Sequence, residues 1–165
     1  MSKCIVFTRA SDGGVSVITP AYNDKIGGLA ASGKSESDWL DDVAAKSVPA
    51  DALNIHRCEK DDINPSRRFR NAWEQTGVSA PVTNMNEARV IRINEVRRDR
   101  ESRFRELDIE YNRADETDDI ERKLVIVEAK TKLRDLPETI KPDLDALTTE
   151  NDLSEYEPEW PSVSK

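Results

Sequence analysis

The stretch from residue 85 to residue 136 contains no glycine and no proline, and it constrains the fold more than any other feature. Its apolar residues recur at steps of three and four, the spacing that places them on one face of an α-helix. That face comprises Val90, Ile93, Val96, Phe104, Leu107, Tyr111 and Ala114, with Arg100 in the gap. Asn84 and Glu87 are spaced as in a capping box, so we predict a helix over 85–116, roughly 45 Å long at 1.5 Å per residue.

A second helix is predicted over residues 119–136, after a short polar break. Asp118 and Glu121 are placed to cap its start, and Pro137 is expected to end it. The Leu-Val-Ile-Val run at 124–127 is apolar on every side, so we expect it to be well buried or packed against two neighbours. The two helices should form an antiparallel hairpin. Because the first helix is the longer, part of its apolar face needs cover from the N-terminal sheet or from another chain, the latter as a coiled-coil oligomer.

The N-terminal segment has the pattern of a small antiparallel sheet. β-Branched residues at 3–9 and 14–18 flank an Asp-Gly-Gly sequence that suits a tight turn, and a third strand is predicted over 53–58. A short helix after the capping residue Ser35 would pack its apolar face on the hairpin. Residues 1–58 thus form a predicted β-rich head, and the fold class predicted for the whole chain is α+β.

The scarcity of histidine and cysteine limits the chemistry open to this chain. His56 is the one histidine, and the two cysteines, Cys4 and Cys58, are expected to be buried neighbours in the sheet, without the pattern of a disulfide framework or a zinc site. His56 and Cys58 would share a strand face, yet no third group is identifiable to orient them as a nucleophile pair. Glycine-rich phosphate loops and nucleophile-elbow motifs are lacking. We therefore expect a protein that is not an enzyme and that needs no cofactor and no metal ion.

The formal net charge of -8 is concentrated at the C-terminus. Residues 137–165 hold eight acids and two lysines, a net charge of 2 - 8 = -6. Between residues 89 and 113, eight arginines alternate with six acids, which indicates a solvated surface of ion pairs and not a phosphate-binding stripe. Nucleic acid is therefore not the expected partner, and the arginine excess is suited to receive the acidic tail or an acidic partner. No apolar run approaches the ~20 residues needed to span a bilayer, so no membrane partner is expected.

Aromatic residues mark two further segments. In a connecting segment, residues 59–84, Phe69 and Trp73 lie four residues apart beside arginines and are predicted to share one face of a helical turn. In the acidic tail, residues 137–165, Tyr156 and Trp160 suit docking into a groove on the same protein or on a partner. The predicted order is thus a head (1–58), a connecting segment (59–84), an α-helical hairpin (85–136) and a C-terminal tail (137–165).

Five short motifs follow one another along residues 60–161. They are Pro65-x-x-Arg68-Phe69-Arg70-Asn71-Ala72-Trp73-Glu74, Asn84-Met85-Asn86-Glu87-Ala88-Arg89, Leu107-Asp108-Ile109-Glu110-Tyr111-Asn112-Arg113-Ala114, Leu133-Arg134-Asp135-Leu136-Pro137 and Trp160-Pro161. In this order they resemble the tail-fibre assembly and small tail accessory proteins of tailed bacteriophages and prophages, notably those of proteobacteria.

The resemblance implies a non-enzymatic phage tail protein, either a tail-fibre assembly chaperone or a small structural component of the virion. Its expected partners are phage tail or tail-fibre proteins, with self-association as a second expectation. Its expected location is the host cytoplasm during assembly, with retention in the virion tail as the alternative. The residues expected to contact a partner are Arg68, Phe69, Trp73, Val96, Arg100, Phe104, Leu107, Tyr111, Tyr156 and Trp160. The alternative function is a phage-encoded regulatory nucleic-acid-binding protein that uses arginines of the connecting segment and of the long helix.

Overall fold

The computed structural model describes residues 2–163, and the chain divides between Asn84 and Met85 into two compact units. Within these residues, the N-terminal unit contains five strands and two α-helices, and the C-terminal unit contains four α-helices. The fold class is α+β, as predicted. The predicted head and connecting segment both fall in the N-terminal unit, and the predicted hairpin and tail both fall in the C-terminal unit.

The N-terminal unit is built on a three-stranded antiparallel sheet in the order β2-β1-β3. Its strands are β1 (Lys3–Thr8), β2 (Val15–Ile18) and β3 (Leu53–Glu59). Cys4 of the central strand β1 lies directly opposite Cys58 of β3. The hairpin, the third strand and the cysteine neighbours are therefore confirmed. The β-branched residues that indicated the hairpin suit a pleated surface that packs against neighbouring groups.

Two helices lie between β2 and β3 in the sequence. They are α1 (Leu29–Ser32) and α2 (Glu36–Ser47). The Ser35 hydroxyl caps α2, as predicted, by accepting a hydrogen bond from the backbone N–H three residues later. Trp39 of α2 packs against Ile5 of β1, so this helix covers one face of the sheet.

The connecting segment packs on the face of the sheet that α2 leaves open, against the alternate side chains of β1. Phe69 has no exposed surface and Trp73 keeps only 7%. The prediction that these two rings share a helical turn is wrong. Phe69 precedes a 3-10 turn (Arg70–Ala72), and Trp73 begins strand β4 (Trp73–Glu74), which pairs with β5 (Val82–Thr83). Strand pairing requires extended backbone at Trp73, which is incompatible with a helical turn.

The C-terminal unit consists of four helices: α3 (Met85–Glu116), α4 (Ile120–Thr139), α5 (Lys141–Ala146) and α6 (Glu150–Glu155). Ion pairs between Lys123 and Asp115 (2.9 Å) and between Lys130 and Asp108 (2.8 Å) show that α3 and α4 run antiparallel. The predicted helical hairpin is therefore confirmed. None of the helices within residues 2–163 combines the length and the apolar character that crossing a membrane requires.

Both predicted ends of α4 are wrong. Asp119 caps the helix instead of Asp118, because its carboxylate accepts a hydrogen bond from the backbone N–H of Arg122 (2.9 Å). Pro137 does not end the helix, which continues to Thr139. Pro137 is itself buried, and that packing offsets the single backbone hydrogen bond that a proline cannot donate.

The composition of the run at 124–127 predicted that it is well buried or packed against two neighbours, and this prediction is wrong. Ile126 has no exposed surface, whereas Leu124 keeps 66% and Val125 and Val127 keep 48% each. Successive side chains turn by about 100° around a helix with 3.6 residues per turn. Because this part of α4 packs on α3 alone, one residue of the run faces the interior and the other three are exposed.

The chain's own C-terminal segment covers the part of α3 that extends beyond α4. α5 and α6 pack along α3. Their central leucines, Leu144 and Leu153, have no exposed surface. Burying two leucines fully contributes about 1.5–3 kcal/mol each relative to leaving them in water.

Arginines of α3 hold this segment through its backbone carbonyl groups. Arg89 donates to the carbonyl oxygens of Leu144 (3.0 Å) and Leu147 (2.7 Å), and Arg92 donates to that of Tyr156 (2.6 Å). These carbonyls lie at the ends of α5 and α6, where a helix leaves its last carbonyl groups without partners inside the helix. Arg92 is only 2% exposed, so it acts as a buried, charged hydrogen-bond donor.

We expect Arg92→Ala to lower the free energy of unfolding by about 2–4 kcal/mol, because the carbonyl of Tyr156 then loses its charged donor. Arg98→Ala is the matched control, since Arg98 is an exposed residue of the same helix. It should change the free energy by less than about 0.5 kcal/mol. Urea unfolding followed by far-UV circular dichroism measures both variants, and equal effects would contradict the structural role of Arg92.

Candidate docking surface

Four of the ten residues predicted to contact a partner are buried inside their own units. Phe69 and Val96 have no exposed surface, and Trp73 and Leu107 keep 7% each. An interface anchor must offer its side chain to the partner. These four side chains serve the fold, and they leave no surface for the contact that was predicted for them.

Five of the other six residues already contact groups of the same chain, and the sixth, Phe104, is half-buried. Their contacts are Tyr156 Oη to Asp143 Oδ2 (3.2 Å), Arg100 Nη1 to the carbonyl oxygen of Arg134 (2.6 Å), the Trp160 ring to the guanidinium of Arg103 (4.0 Å from the centroid), the Tyr111 ring to the ammonium of Lys130 (4.8 Å) and the guanidinium of Arg68 to the Phe69 ring (5.7 Å). Phe104 is half-buried on α3. The tail therefore docks on its own protein, which is one of the two alternatives that its sequence left open.

The cysteine pair has the properties of packing residues. Burial, reinforced by the neighbouring Cys4, raises the pKa of Cys58 to about 11, so its thiol stays protonated at neutral pH. A nucleophilic cysteine is instead a thiolate with a lowered pKa. Within residues 2–163, no group of three or more His, Cys, Asp or Glu side chains is placed to hold a metal ion.

A second apolar face runs along α4, opposite the face that packs on α3. Ile120, Leu124, Val127 and Thr131 follow one another at steps of four, three and four, and we call these four residues the α4 stripe. Ile120 and Leu124 are 66% exposed and Val127 is 48% exposed. The buried Ile126 lies on the other side of the helix, so α4 has two apolar faces and a neighbour for one of them.

The α4 stripe ends at a groove between α4 and the C-terminal tail. The groove has a volume of about 500 Å³, and Thr131, Leu136, Tyr156 and Trp160 are among the residues that line it. Its charged lining residues are Asp135, Asp143, Glu159 and Lys132. The exposed apolar surface of the stripe therefore continues into a concave site with an excess of acids.

Charges of opposite sign flank the α4 stripe. Lys123 and Lys130 lie on one side of it, and Glu121 and Glu128 lie on the other, each pair seven residues apart. Glu128 also bonds to Lys132 (2.7 Å), which lowers the pKa of the glutamate carboxyl group. An apolar seam with charged flanks that repeat every seven residues is the arrangement that coiled-coil helices use.

The α4 stripe is not among the residues predicted from the sequence to contact a partner, although the sequence contains its pattern. The apolar residues of α4 fall into two sets on two sides of the helix. One set contains Ile120, Leu124 and Val127, and the other contains Ile126, Ala129, Leu133 and Leu136. A helix with a single neighbour buries one set only, so the number of neighbours decides which residues remain exposed.

Comparison of the chain with protein-family models, with curated proteins and with solved structures gives no match in any of the three. The function of the protein is therefore inferred from the geometry of α4 and its groove, together with the resemblance that the sequence motifs carry.

Proposed function

We propose that this protein is a non-enzymatic tail protein of a tailed bacteriophage, either a tail-fibre assembly factor or a small structural component of the tail. It binds phage tail or tail-fibre proteins through its helical unit. The observation that carries the proposal is the α4 stripe, because a surface helix ordinarily turns a polar face to solvent. The motifs along residues 60–161, which resemble those of such phage proteins, supply the biological setting.

The charges beside the α4 stripe favour a second copy of this chain as its occupant. In a parallel pair of helices, each residue on one flank faces the residue five positions later on the opposite flank of the second helix. Lys123 then faces Glu128 of the second copy, and Lys130 faces Asp135 of the second copy. Each lysine would share its charge between this acid and its own partner on α3, which is Asp115 for Lys123 and Asp108 for Lys130. In an antiparallel pair, lysines would face lysines and acids would face acids. Charge complementarity therefore supports a parallel homodimer.

A parallel pair related by a two-fold axis has a consequence for binding a tail protein. Both grooves beside the C-terminal tail then lie at the same end of the paired helices. Each groove combines apolar residues such as Leu136 and Trp160 with an excess of acids, so it suits a segment that presents apolar and basic side chains. In this proposal the α4 stripe joins the two copies, and the grooves receive the tail or tail-fibre protein.

Nucleic-acid binding by the long helix has less support. Arg89, Arg92 and Arg100 already donate hydrogen bonds to backbone carbonyls, and Arg103 stacks on the Trp160 ring. Phosphate contacts require guanidinium groups that are free to reach the nucleic acid. Arg89, Arg92 and Arg103 would become free only if the C-terminal segment left α3, and Arg100 only if α4 left it.

Leu124→Glu is expected to convert the dimer into a monomer, because it places a carboxylate in the middle of the α4 stripe. Leu124 is 66% exposed in the single chain, so the substitution leaves the fold of the helical unit intact. Size-exclusion chromatography with light scattering over a concentration series measures the dissociation constant. We expect it to rise by at least about tenfold, or about 1.4 kcal/mol.

Ile109→Glu is the matched control, since Ile109 is 51% exposed on α3 and lies outside the α4 stripe. This variant should dimerise like the wild type. At a concentration at which the wild type is monomeric, neither variant should change the thermal unfolding transition. A wild-type chain that stays monomeric at the highest concentration reached, or an equal loss of dimer in both variants, would exclude the stripe as the interface.

A disulfide between two copies tests the direction of the pair. Ile120→Cys should form a cross-linked dimer under mild oxidation, because residues at the same position of a parallel seam face each other. In an antiparallel pair Ile120 would face Thr131, about 16 Å away along the helix axis from the other Ile120, and no cross-link would form. Non-reducing gel electrophoresis gives the readout, with Ile109→Cys as the control that should stay uncrosslinked.

Deletion of the gene in its native phage or prophage tests the biological role. We expect particles with missing or incomplete tail fibres, and rescue by the Ile109→Glu variant but not by Leu124→Glu. Electron microscopy and infectivity measure the defect. Immunoblotting of purified particles then separates a structural component, which is present in them, from an assembly factor, which is not. Normal, infectious particles after deletion would refute the proposed function.

A further inference from the structure

The N-terminal unit contains a cleft between the β1–β2 hairpin and the connecting segment. Its volume is about 630 Å³, within the range of small-molecule binding sites. Arg9, Arg67 and Arg70 line it, together with Asp12 as the one carboxylate, and we call it the arginine cleft. Three guanidinium groups against one carboxylate give its lining a net charge of 3 - 1 = +2, in a chain whose net charge is -8. The lining of the cleft is therefore positively charged, although the molecule as a whole is negatively charged.

Arg9 is held in place at the edge of the arginine cleft. Its Nε and Nη2 donate to the two carboxylate oxygens of Asp12, each at 2.9 Å, and its Nη1 donates to the Ser16 hydroxyl at 3.0 Å. Gly14 makes room for this arrangement, because a Cβ at that position would lie 2.2 Å from Nη2 of Arg9. The position of Arg9 is thus fixed by the hairpin before any ligand arrives.

Arg67 and Arg70 differ from Arg89, Arg92 and Arg100 of α3 because their side chains make no hydrogen bond to the residues that the structure describes. Among residues 2–163, no hydrogen bond, ion pair or ring contact engages either guanidinium group. The two residues belong to one turn, since the backbone N–H of Arg70 donates to the carbonyl of Arg67 (3.3 Å). Two adjacent arginines without an anionic partner, in a concave site, leave their charge to be neutralised by a ligand.

We infer that the arginine cleft binds a small phosphorylated molecule of nucleotide size, whose phosphate is held by Arg67 and Arg70. The planar guanidinium group donates two parallel hydrogen bonds and matches the oxygens of a phosphate. The volume of the cleft exceeds what one phosphate needs, and Val15 and Val17 also line it, so apolar surface is present for the rest of the ligand. This inference is independent of the function proposed for α4, because all of its residues belong to the N-terminal unit.

A small ligand is favoured over a nucleic-acid strand for two reasons. Proteins that bind single strands combine a basic track with aromatic rings on which successive bases stack. Trp73 is the aromatic residue of this cleft, and only 7% of its surface is exposed. The free arginines of the lining are two neighbours in one cleft, and they do not form a track.

Isothermal titration of the full-length chain tests the inference, with ATP, inorganic phosphate, an oligothymidylate and an acidic peptide as separate probes. We expect ATP to bind, inorganic phosphate to compete with it more weakly, and the double variant R67Q/R70Q to lose at least about tenfold in affinity. The control R98Q/R105Q removes the same charge from two exposed positions of α3 and should change the affinity by less than about twofold. Gly14→Ala should also weaken binding, because it displaces Arg9.

Four results would overturn the inference. They are no binding of ATP up to millimolar concentration, an equal loss in both double variants, binding of the oligothymidylate more tightly than ATP, and binding of the acidic peptide as tightly as ATP. The third result would identify a nucleic-acid strand as the ligand, and the fourth would identify an acidic protein segment. Because Arg67 and Arg70 are exposed, R67Q/R70Q should keep the thermal unfolding transition of the wild type, which circular dichroism verifies.

Discussion

The C-terminal unit depends on hydrogen bonds from arginines of α3 to backbone carbonyls of the segment that follows α4. α5 and α6 have six residues each, so most of their carbonyl groups belong to a last turn and lack a partner inside the helix. A buried carbonyl without a donor costs about 1–3 kcal/mol, and helices this short are not stable alone. Arg89 and Arg92 supply the missing donors from the side of α3. The leucines of α5 and α6 can then be buried against the same helix.

The acidity of the tail has a smaller part in this docking than its charge suggests. Arg92 lies 3.7 Å from Glu157, and Arg97 lies 3.4 Å from Glu138, but both carboxylates are more than 70% exposed. Exposed ion pairs contribute little, typically less than about 1 kcal/mol. Carbonyl groups and leucines therefore hold the segment, and most of its carboxylates remain in solvent. The arginines receive the tail, which is one of the two occupants expected from their charge, but they hold it through carbonyl groups and not through its carboxylates.

Local patterns in the sequence predicted which helices and strands form, but they did not predict which of these elements pack against each other. The periodicity of 85–116 gave the long helix, and the β-branched runs gave the hairpin, because both patterns depend on residues close in the chain. Burial of Leu124 was misjudged because it depends on how many helices pack around α4. Arg92 was overlooked as an interior residue, although it lies between Ala88 and Val96 at steps of four on the buried face. Apolar periodicity alone does not register a charged residue whose partner is a distant carbonyl.

The arginine cleft and the α4 stripe contain side chains that are suited to binding but remain exposed after folding. Arg89, Arg92 and Arg100 of α3 donate to backbone carbonyls, whereas the guanidinium groups of Arg67 and Arg70 have no such acceptor in the described part of the chain and line a cleft. Likewise, one apolar face of α4 meets α3, whereas the α4 stripe meets solvent. Residue type is the same within each comparison, so composition does not distinguish a structural arginine or leucine from a binding one. The distinction comes from the partner that the fold supplies, and a group left without one is available to a second molecule.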